Sequence, residues 1–173
     1  MQRRRFLAAV GTTVAVGSAG CVSDSGGAGA GGGDAGSDRA TLETLAVAGS
    51  PGGELPVLPA EPALLDFWAT WCAPCKPQMR ELRAVREALP AVHMLSITNE
   101  SDTAAVRDFW TAYEGTWAVA QDTELRTNER FGVTRMPTLL VFDADGTEVW
   151  RHVGLAAADT VEAKLREAGA GGA

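Results

Sequence analysis

The chain has 173 residues, a formal net charge of −7 and only two lysines among its 15 basic residues. Its length suits one ordinary domain and leaves too few residues for two. The acidic, lysine-poor composition argues against a nucleic-acid partner, because phosphate groups need basic contacts.

The first 20 residues have the features of an export signal. Residues 3–7 (Arg-Arg-Arg-Phe-Leu) precede a mildly apolar run that ends at Ala19. That run is too short, and too rich in Gly, Thr and Ala, to span a membrane, but it suits the core of a signal peptide. The basic start resembles a twin-arginine signal, and residues 18–21 (Ser-Ala-Gly-Cys) resemble a lipobox. We therefore expect residues 1–20 to be a signal peptide and Cys21 to be lipidated, with an unmodified thiol as the alternative.

A tether is predicted after this cysteine. Apart from Val22 and Arg39, residues 22–40 contain only Gly, Ala, Ser and Asp, which cannot bury enough apolar surface to fold. As a flexible chain they would reach roughly 25 Å. We interpret residues 21–40 as a lipid-anchored cysteine and a tether, and residues 41–173 as the folded domain. One lipid chain binds only marginally, so stable anchoring would need a second lipid on Cys21.

Short strands are predicted at the front of the domain. The sequence predicts strands at residues 41–47 and 55–58, with a turn at 50–53 (Ser-Pro-Gly-Gly) between them. The apolar run at residues 63–68 predicts a buried central strand. An amphipathic helix follows the two cysteines, and Pro77 is expected to remove a backbone hydrogen bond and kink that helix.

The second half of the domain alternates between strands and helices. A buried strand is predicted at residues 91–98. It precedes an amphipathic helix over residues 101–113, whose apolar residues recur at helical spacing. The remaining predicted elements are a strand at residues 117–120, a short helix from a cap at Asp122 to Phe131, a hairpin of strands at 138–142 and 148–153, and a helix over 157–168.

Two cysteines stand between the central strand and the helix that follows it. A strand, two cysteines on a tight turn and a helix form the context that makes a Cys-x-x-Cys motif redox-active. The helix N-terminus directs N–H groups and the positive end of its dipole at Cys72, which favours the nucleophilic thiolate. Cys75 lies one helical turn on, close enough to resolve a mixed disulfide. The alternative is half of a zinc site, which would need two further ligands.

The amino-acid sequences of two segments resemble those of the thioredoxin superfamily. Residues 66–76 (Asp-Phe-Trp-Ala-Thr-Trp-Cys-Ala-Pro-Cys-Lys) resemble its active site, and residues 132–142 resemble the segment that holds its cis proline. The resemblance implies an α/β fold with a central mixed sheet flanked by helices, a Cys72–Cys75 disulfide and a cis Pro137 beside it. An additional helix and strand before Pro137 resemble the TlpA and ResA group of membrane-anchored reductases.

The same resemblance implies catalytic roles for Cys72, Cys75, Asp66 and Pro137. Asp66 occupies the position of the buried acid beneath the second cysteine. An acid flanked by apolar residues can have its pKa raised by desolvation, and it could then relay a proton to and from Cys75. The alternative is a strand acid that reaches solvent or a backbone group. In the TlpA-like group the helper acid is often a glutamate elsewhere in the chain.

Four further residues are implied in substrate binding: Trp71, Pro74, Thr134 and Met136. Trp71 and Pro74 would shape and shield the turn. Met136, with Pro137, would form an apolar wall on which a substrate backbone pairs as an added strand.

Together these features predict an extracytoplasmic, lipid-anchored thiol–disulfide oxidoreductase that reduces disulfides of exported proteins, with apocytochromes c among its candidate substrates. It would need no cofactor beyond its own disulfide and no metal. A membrane electron donor would recharge it, because cytosolic reductants do not operate outside the cytoplasm. The alternatives are a thiol oxidase that works in the opposite direction and a module that holds a metal or a partner in the cleft. The composition resembles that of proteins from high-salt organisms such as haloarchaea, with an ordinary acidic domain as the alternative.

Overall fold

A computed structural model describes residues 40–171 of the chain. Strands and helices follow one another through this part of the chain, and each predicted element is present. Their bounds are β1 (Thr41–Val47), β2 (Ser50–Pro56), β3 (Ala63–Phe67), α1 (Cys75–Ala88), β4 (His93–Thr98), α2 (Thr103–Ala112), β5 (Ala118–Gln121), α3 (Arg126–Phe131), β6 (Thr138–Phe142), β7 (Glu148–Val153) and α4 (Ala158–Glu167).

The strands form one mixed sheet in the order β2-β1-β5-β4-β3-β6-β7. β3, β4 and β5 are parallel, and the pairs β3–β6, β6–β7, β1–β5 and β1–β2 are antiparallel. The α/β architecture with a mixed central sheet is therefore confirmed. None of the helices within residues 40–171 is long and apolar enough to cross a membrane.

The central strands β3 and β4 serve two separate cores. Leu64 and Met94 belong to the apolar cluster that also contains both cysteines, which we call the disulfide-side core. Leu65 and Leu95, one residue further along, belong to the second cluster, the opposite core. Successive strand residues point to opposite faces, so each strand contributes to both cores. Helices α1, α2 and α4 supply side chains to the disulfide-side core.

The boundary predicted for the second strand was wrong. β2 begins at Ser50 and includes the Pro-Gly-Gly segment that we predicted as a turn. The chain reverses earlier, at Gly49, whose φ of +72° suits glycine. A Cβ on Gly49 would lie 2.1 Å from the backbone carbon of Thr116. Proline is tolerated in β2 because this strand lies at the edge of the sheet.

The consequence predicted for Pro77 was also wrong. Helix α1 begins at Cys75, so Pro77 is its third residue. The N–H groups of the first turn have no acceptor within the helix, and a proline there removes no intrahelical hydrogen bond.

Asp122 supports helix α3 without being its N-cap residue. Leu125 holds the N-cap position, with a left-handed φ of +60°. Oδ2 of Asp122 instead accepts hydrogen bonds from the backbone N–H and the hydroxyl of Thr127, each at 2.6 Å. The carboxylate therefore still pairs with an N–H group of the first helical turn, but from further upstream.

Candidate active site

The two cysteines of the motif are joined by a disulfide bond, with 5.3 Å between their Cα atoms. Cys75 is the first residue of α1, and its N–H group donates to the Cys72 carbonyl at 3.1 Å. Cys72 and Cys75 are only 3% and 2% exposed, whereas the neighbouring Trp71 is 72% exposed. The disulfide thus lies in the core, and the residue before it projects an indole ring into solvent.

Asp66 lies in β3, on the face of the sheet that carries the disulfide-side core. It is buried, and it stands two residues after Leu64, which belongs to that core, so the two side chains point to the same face. Burial raises the pKa of this carboxyl from 3.8 to about 7, and a hydrogen bond from Ser96 opposes the rise. A group that titrates near neutral pH can exchange a proton under ordinary conditions.

A short chain of hydrogen bonds fixes the orientation of Asp66. The Ser96 hydroxyl donates to Oδ2 of Asp66 at 2.8 Å, and it accepts from the indole N–H of Trp117, also at 2.8 Å. Oδ1 of Asp66 has no hydrogen-bond partner within residues 40–171. Ser96 is the register partner of Asp66 in the parallel β3–β4 pair. The carboxyl is therefore held at one oxygen only.

Glu100 anchors the loop that leads to the disulfide. Its carboxylate accepts from the backbone N–H of Thr70 and from the Thr70 hydroxyl, each at 2.7 Å. The Thr98 hydroxyl adds a third hydrogen bond at 3.2 Å. Since Thr70 stands two residues before Cys72, this carboxylate positions the backbone at the start of the motif.

Gln78 ties the first turns of α1 to the segment before α4. Its side-chain amide donates to the Ala156 carbonyl at 3.2 Å and accepts from the Ala156 N–H at 2.8 Å. Both residues are buried, so this reciprocal pair satisfies polar groups that water does not reach. The segment is also held near the proline loop, because the Gly154 N–H donates to the Pro137 carbonyl at 2.8 Å.

A groove of about 460 Å³ opens next to the motif, at Trp71. The peptide bond between Met136 and Pro137 is cis, as the family resemblance implied. Met136 and Thr134 line the groove on the side of the proline loop, and Trp71 lines it at the motif. The exposed side chain of Leu125 extends its apolar lining towards α3.

The structure brings together most of the residues that the sequence singled out. Trp71, Thr134 and Met136 share the groove, whereas Pro74 is the N-cap residue of α1 and does not line it. Cys21 lies outside the described residues.

Sequence reasoning missed four contributors to the site: Ser96, Trp117, Glu100 and Gln78. The one available signal was Ser96, a polar residue inside the apolar run of the fourth strand.

Comparisons with known proteins identify the family and the fold. The family model for Redoxin matches residues 55–167, more than half of the chain, and the chain therefore belongs to the Redoxin family. With its Cys72–Cys75 disulfide at the start of a helix, it is a thiol–disulfide oxidoreductase with a thioredoxin-like fold. No curated protein gives a significant match.

Several solved structures are similar. A secreted disulfide oxidoreductase of Mycobacterium tuberculosis, homologous to E. coli DsbE, has 26% identity and a TM-score of 0.64 over 75% of this chain and 96% of that chain. A Chlorobium tepidum protein assigned as the thiol:disulfide interchange protein DsbE has 28% identity and a TM-score of 0.57, covering 74% and 94%. DsbF of M. tuberculosis shares the fold, with 23% identity, a TM-score of 0.66 and coverage of 75% and 95%.

Proposed function

We propose that this oxidoreductase works outside the cytoplasm and reduces disulfides of exported proteins through its Cys72–Cys75 dithiol. The observation that carries the proposal is the buried Cys72–Cys75 pair at the start of α1, next to Trp71, which lines an apolar groove. The export features of residues 1–21 support the location, and so does the likeness to a secreted oxidoreductase.

The surroundings of the sulfurs favour a reductant. Strong oxidants of this class have a stabilised reduced form, with a thiolate of low pKa. Here both sulfurs lie in an apolar core, which disfavours a thiolate, and the helix N-terminus offsets only part of that effect. The carboxylate that hydrogen-bonds to the loop before the motif, at Thr70, is that of Glu100, an acid that disfavours a thiolate nearby. The dithiol is therefore expected to give up its electrons readily.

The reaction proceeds in two exchanges. The Cys72 thiolate attacks one sulfur of the substrate disulfide, and the other substrate sulfur leaves as a thiolate. Cys75 then loses its proton to Asp66, attacks the Cys72 sulfur and releases the second substrate thiol. The substrate gains two electrons from the dithiol, its two thiolates take up one proton from Asp66 and one from solvent, and Cys72–Cys75 becomes a disulfide. A membrane electron donor must then return two electrons and two protons to the enzyme.

The groove is proposed to hold the substrate chain. Trp71 and Met136 offer apolar contacts in the groove, and at the exposed residue Thr134 an extended peptide would pair as an added strand. Lipid on Cys21 would keep this encounter at the membrane surface.

The reduction potential of the full chain tests the direction. Equilibration with glutathione should give a value near −270 mV, roughly that of thioredoxin. A value near −120 mV, roughly that of a strong oxidant, would reverse the proposal.

Trapping tests the roles of the two cysteines. Cys75→Ser should accumulate a mixed disulfide with a substrate protein, because the resolving thiol is missing, whereas Cys72→Ser should form none. Equal trapping by both variants would contradict the assignment of Cys72 as nucleophile.

A further inference from the structure

We propose that Ser96 and Trp117 are positioning residues for Asp66, which together decide which carboxyl oxygen carries the exchangeable proton and at what pH it titrates. The inference deepens the proposed function, since it concerns the acid assigned there to Cys75. It rests on the direction of two hydrogen bonds and on the isolation of Asp66 from charged groups.

The direction of the chain follows from the chemistry of its members. An indole N–H group can donate but cannot accept. Trp117 is buried, and its N–H donates to the Ser96 oxygen. The single proton of the Ser96 hydroxyl is then free to point at Oδ2 of Asp66, where the 2.8 Å contact lies. The hydrogen bonds therefore run from Trp117 through Ser96 to Asp66.

This direction leaves one place for the titrating proton. Oδ2 already accepts from Ser96, so a proton taken up by the carboxyl binds at Oδ1. Oδ1 has no hydrogen-bond partner within residues 40–171, and a proton there is not shared with another protein group. Proton pickup and release are thus confined to one atom.

No other charge governs this titration. The register partners of Asp66 are Ser96 on β4 and Leu139 on β6, and α1 contributes Cys75 to the same core. Among the described residues, burial and the Ser96 hydrogen bond account for the shift in the Asp66 pKa, and no charged side chain contributes. The serine is therefore the main polar influence on the carboxylate, and the tryptophan acts through it.

Trp117 immediately precedes β5, between α1 and the cis proline, where the family resemblance implied an additional helix and strand. That segment would thus have a role at the active site, although it contains neither cysteine nor the cis proline.

Carboxyl ¹³C NMR on the oxidised full chain tests the proposal, with Asp66→Asn identifying the Asp66 resonance. Wild type should titrate near pH 7. Ser96→Ala removes the hydrogen bond that favours the carboxylate, so its midpoint should rise by roughly one pH unit. Trp117→Phe should raise the midpoint by less, and Ser96→Thr, which keeps the hydroxyl, should restore it.

Trp110→Phe is the matched control. Trp110 is buried in the same aromatic cluster, 5.1 Å from Trp117 between ring centroids, but its N–H donates to the Ala48 carbonyl at 3.3 Å. Its loss should leave the midpoint unchanged. A midpoint that stays at the wild-type value in Ser96→Ala, or that moves equally in Trp110→Phe and Trp117→Phe, would overturn the proposal.

A measurement on the unsubstituted protein covers the case in which Trp117→Phe does not fold. The indole N–H resonance of Trp117 should shift with the Asp66 midpoint, and this shift should disappear in Asp66→Asn. The Trp110 resonance should not follow it. An indole resonance of Trp117 that is flat between pH 5 and 9 would contradict the hydrogen-bond chain.

Kinetics separates this inference from the proposed function. If Asp66 accepts the Cys75 proton, the resolving step in Ser96→Ala should slow about fivefold at pH 7, because a midpoint one unit higher leaves fewer carboxylates. If the NMR midpoint moves and the rate does not, the positioning role stands and the proton relay fails.

Discussion

The two faces of the central strand pair β3–β4 differ in what they bury. On the opposite core, Leu65, Phe67, Leu95 and Ile97 are all apolar. On the disulfide side, the same strands carry the apolar residues Leu64 and Met94 and, two residues further along, the polar pair Asp66 and Ser96.

Buried polar groups carry a desolvation cost that apolar residues avoid. Between residues 64–67 of β3 and 94–97 of β4, the strands carry polar side chains only on the face that meets the cysteines. One face therefore serves mainly stability, and the other combines stability with chemistry.

The largest effect should come from the apolar face. Phe67→Ala removes a buried ring that contacts Phe131 edge-on, with 6.3 Å between centroids. It should lower the free energy of unfolding by about 3–5 kcal/mol. The loss should be the same at every pH, because no ionisable group is involved. Urea denaturation at pH 5 and pH 8 checks this, and a strongly pH-dependent loss would contradict the division between the faces.

Asp66→Asn should change the pH dependence of stability. The folded-state pKa, about 7, exceeds the ordinary value of 3.8, so the folded form binds this proton more tightly. The stability that Asp66 contributes is complete below about pH 4 and is lost as the pH rises through 7. Relative to Asp66→Asn, wild type should lose up to about 4 kcal/mol between pH 4 and pH 8. Denaturation curves that run parallel for the two proteins would rule this out.

Gln78→Leu should show a moderate, pH-independent cost on the disulfide side. The substitution roughly conserves side-chain size but leaves the N–H and C=O groups of Ala156 unpaired in the core. The expected loss is about 1–3 kcal/mol. Met79→Leu, at the neighbouring buried position, conserves volume and breaks no side-chain hydrogen bond, and should cost less than about 1.5 kcal/mol. Similar losses in both variants would show that packing, and not the hydrogen bonds between Gln78 and Ala156, determines the loss of stability.

Glu100→Gln is expected to have the smallest effect on stability. An amide can still accept one hydrogen bond from Thr70, so stability should fall by about 1 kcal/mol. Removing the negative charge should make a nearby thiolate less unfavourable and shift the glutathione equilibrium towards the dithiol. Glu167→Gln, at an exposed ion pair on α4, is the control and should leave that equilibrium unchanged. A shift towards the disulfide in Glu100→Gln would reverse this interpretation.

The elements and the motif could be predicted because their signals are local. The Cys-x-x-Cys segment sits between an apolar strand and an amphipathic helix, and the proline segment precedes an apolar strand. The wrongly predicted start of β2 also came from a local signal. Pro51 and Gly52 argue for a turn in any short window, and only the edge position of β2 and the reversal at Gly49 explain their place in a strand.

The hydrogen-bond chain could not be predicted, because it depends on strand register. Asp66 and Ser96 are 30 residues apart, and they meet because β3 and β4 pair in parallel with these residues opposite each other. A shift of one residue would turn Ser96 to the other face. Trp117 also suits ordinary core packing, so its donor role emerges only once Ser96 is placed. The link between Glu100 and Thr70 likewise joins residues 30 apart.

The burial of the disulfide also bears on selectivity. With both cysteines almost fully buried, a small thiol in bulk solvent reacts slowly with the disulfide, although the position of their equilibrium is unchanged. A partner that binds in the groove and contacts Trp71 is held next to the motif, whereas a freely diffusing molecule is not. Restricted access to the sulfurs, in addition to the reduction potential, would then protect this dithiol from reaction with unspecific oxidants and reductants.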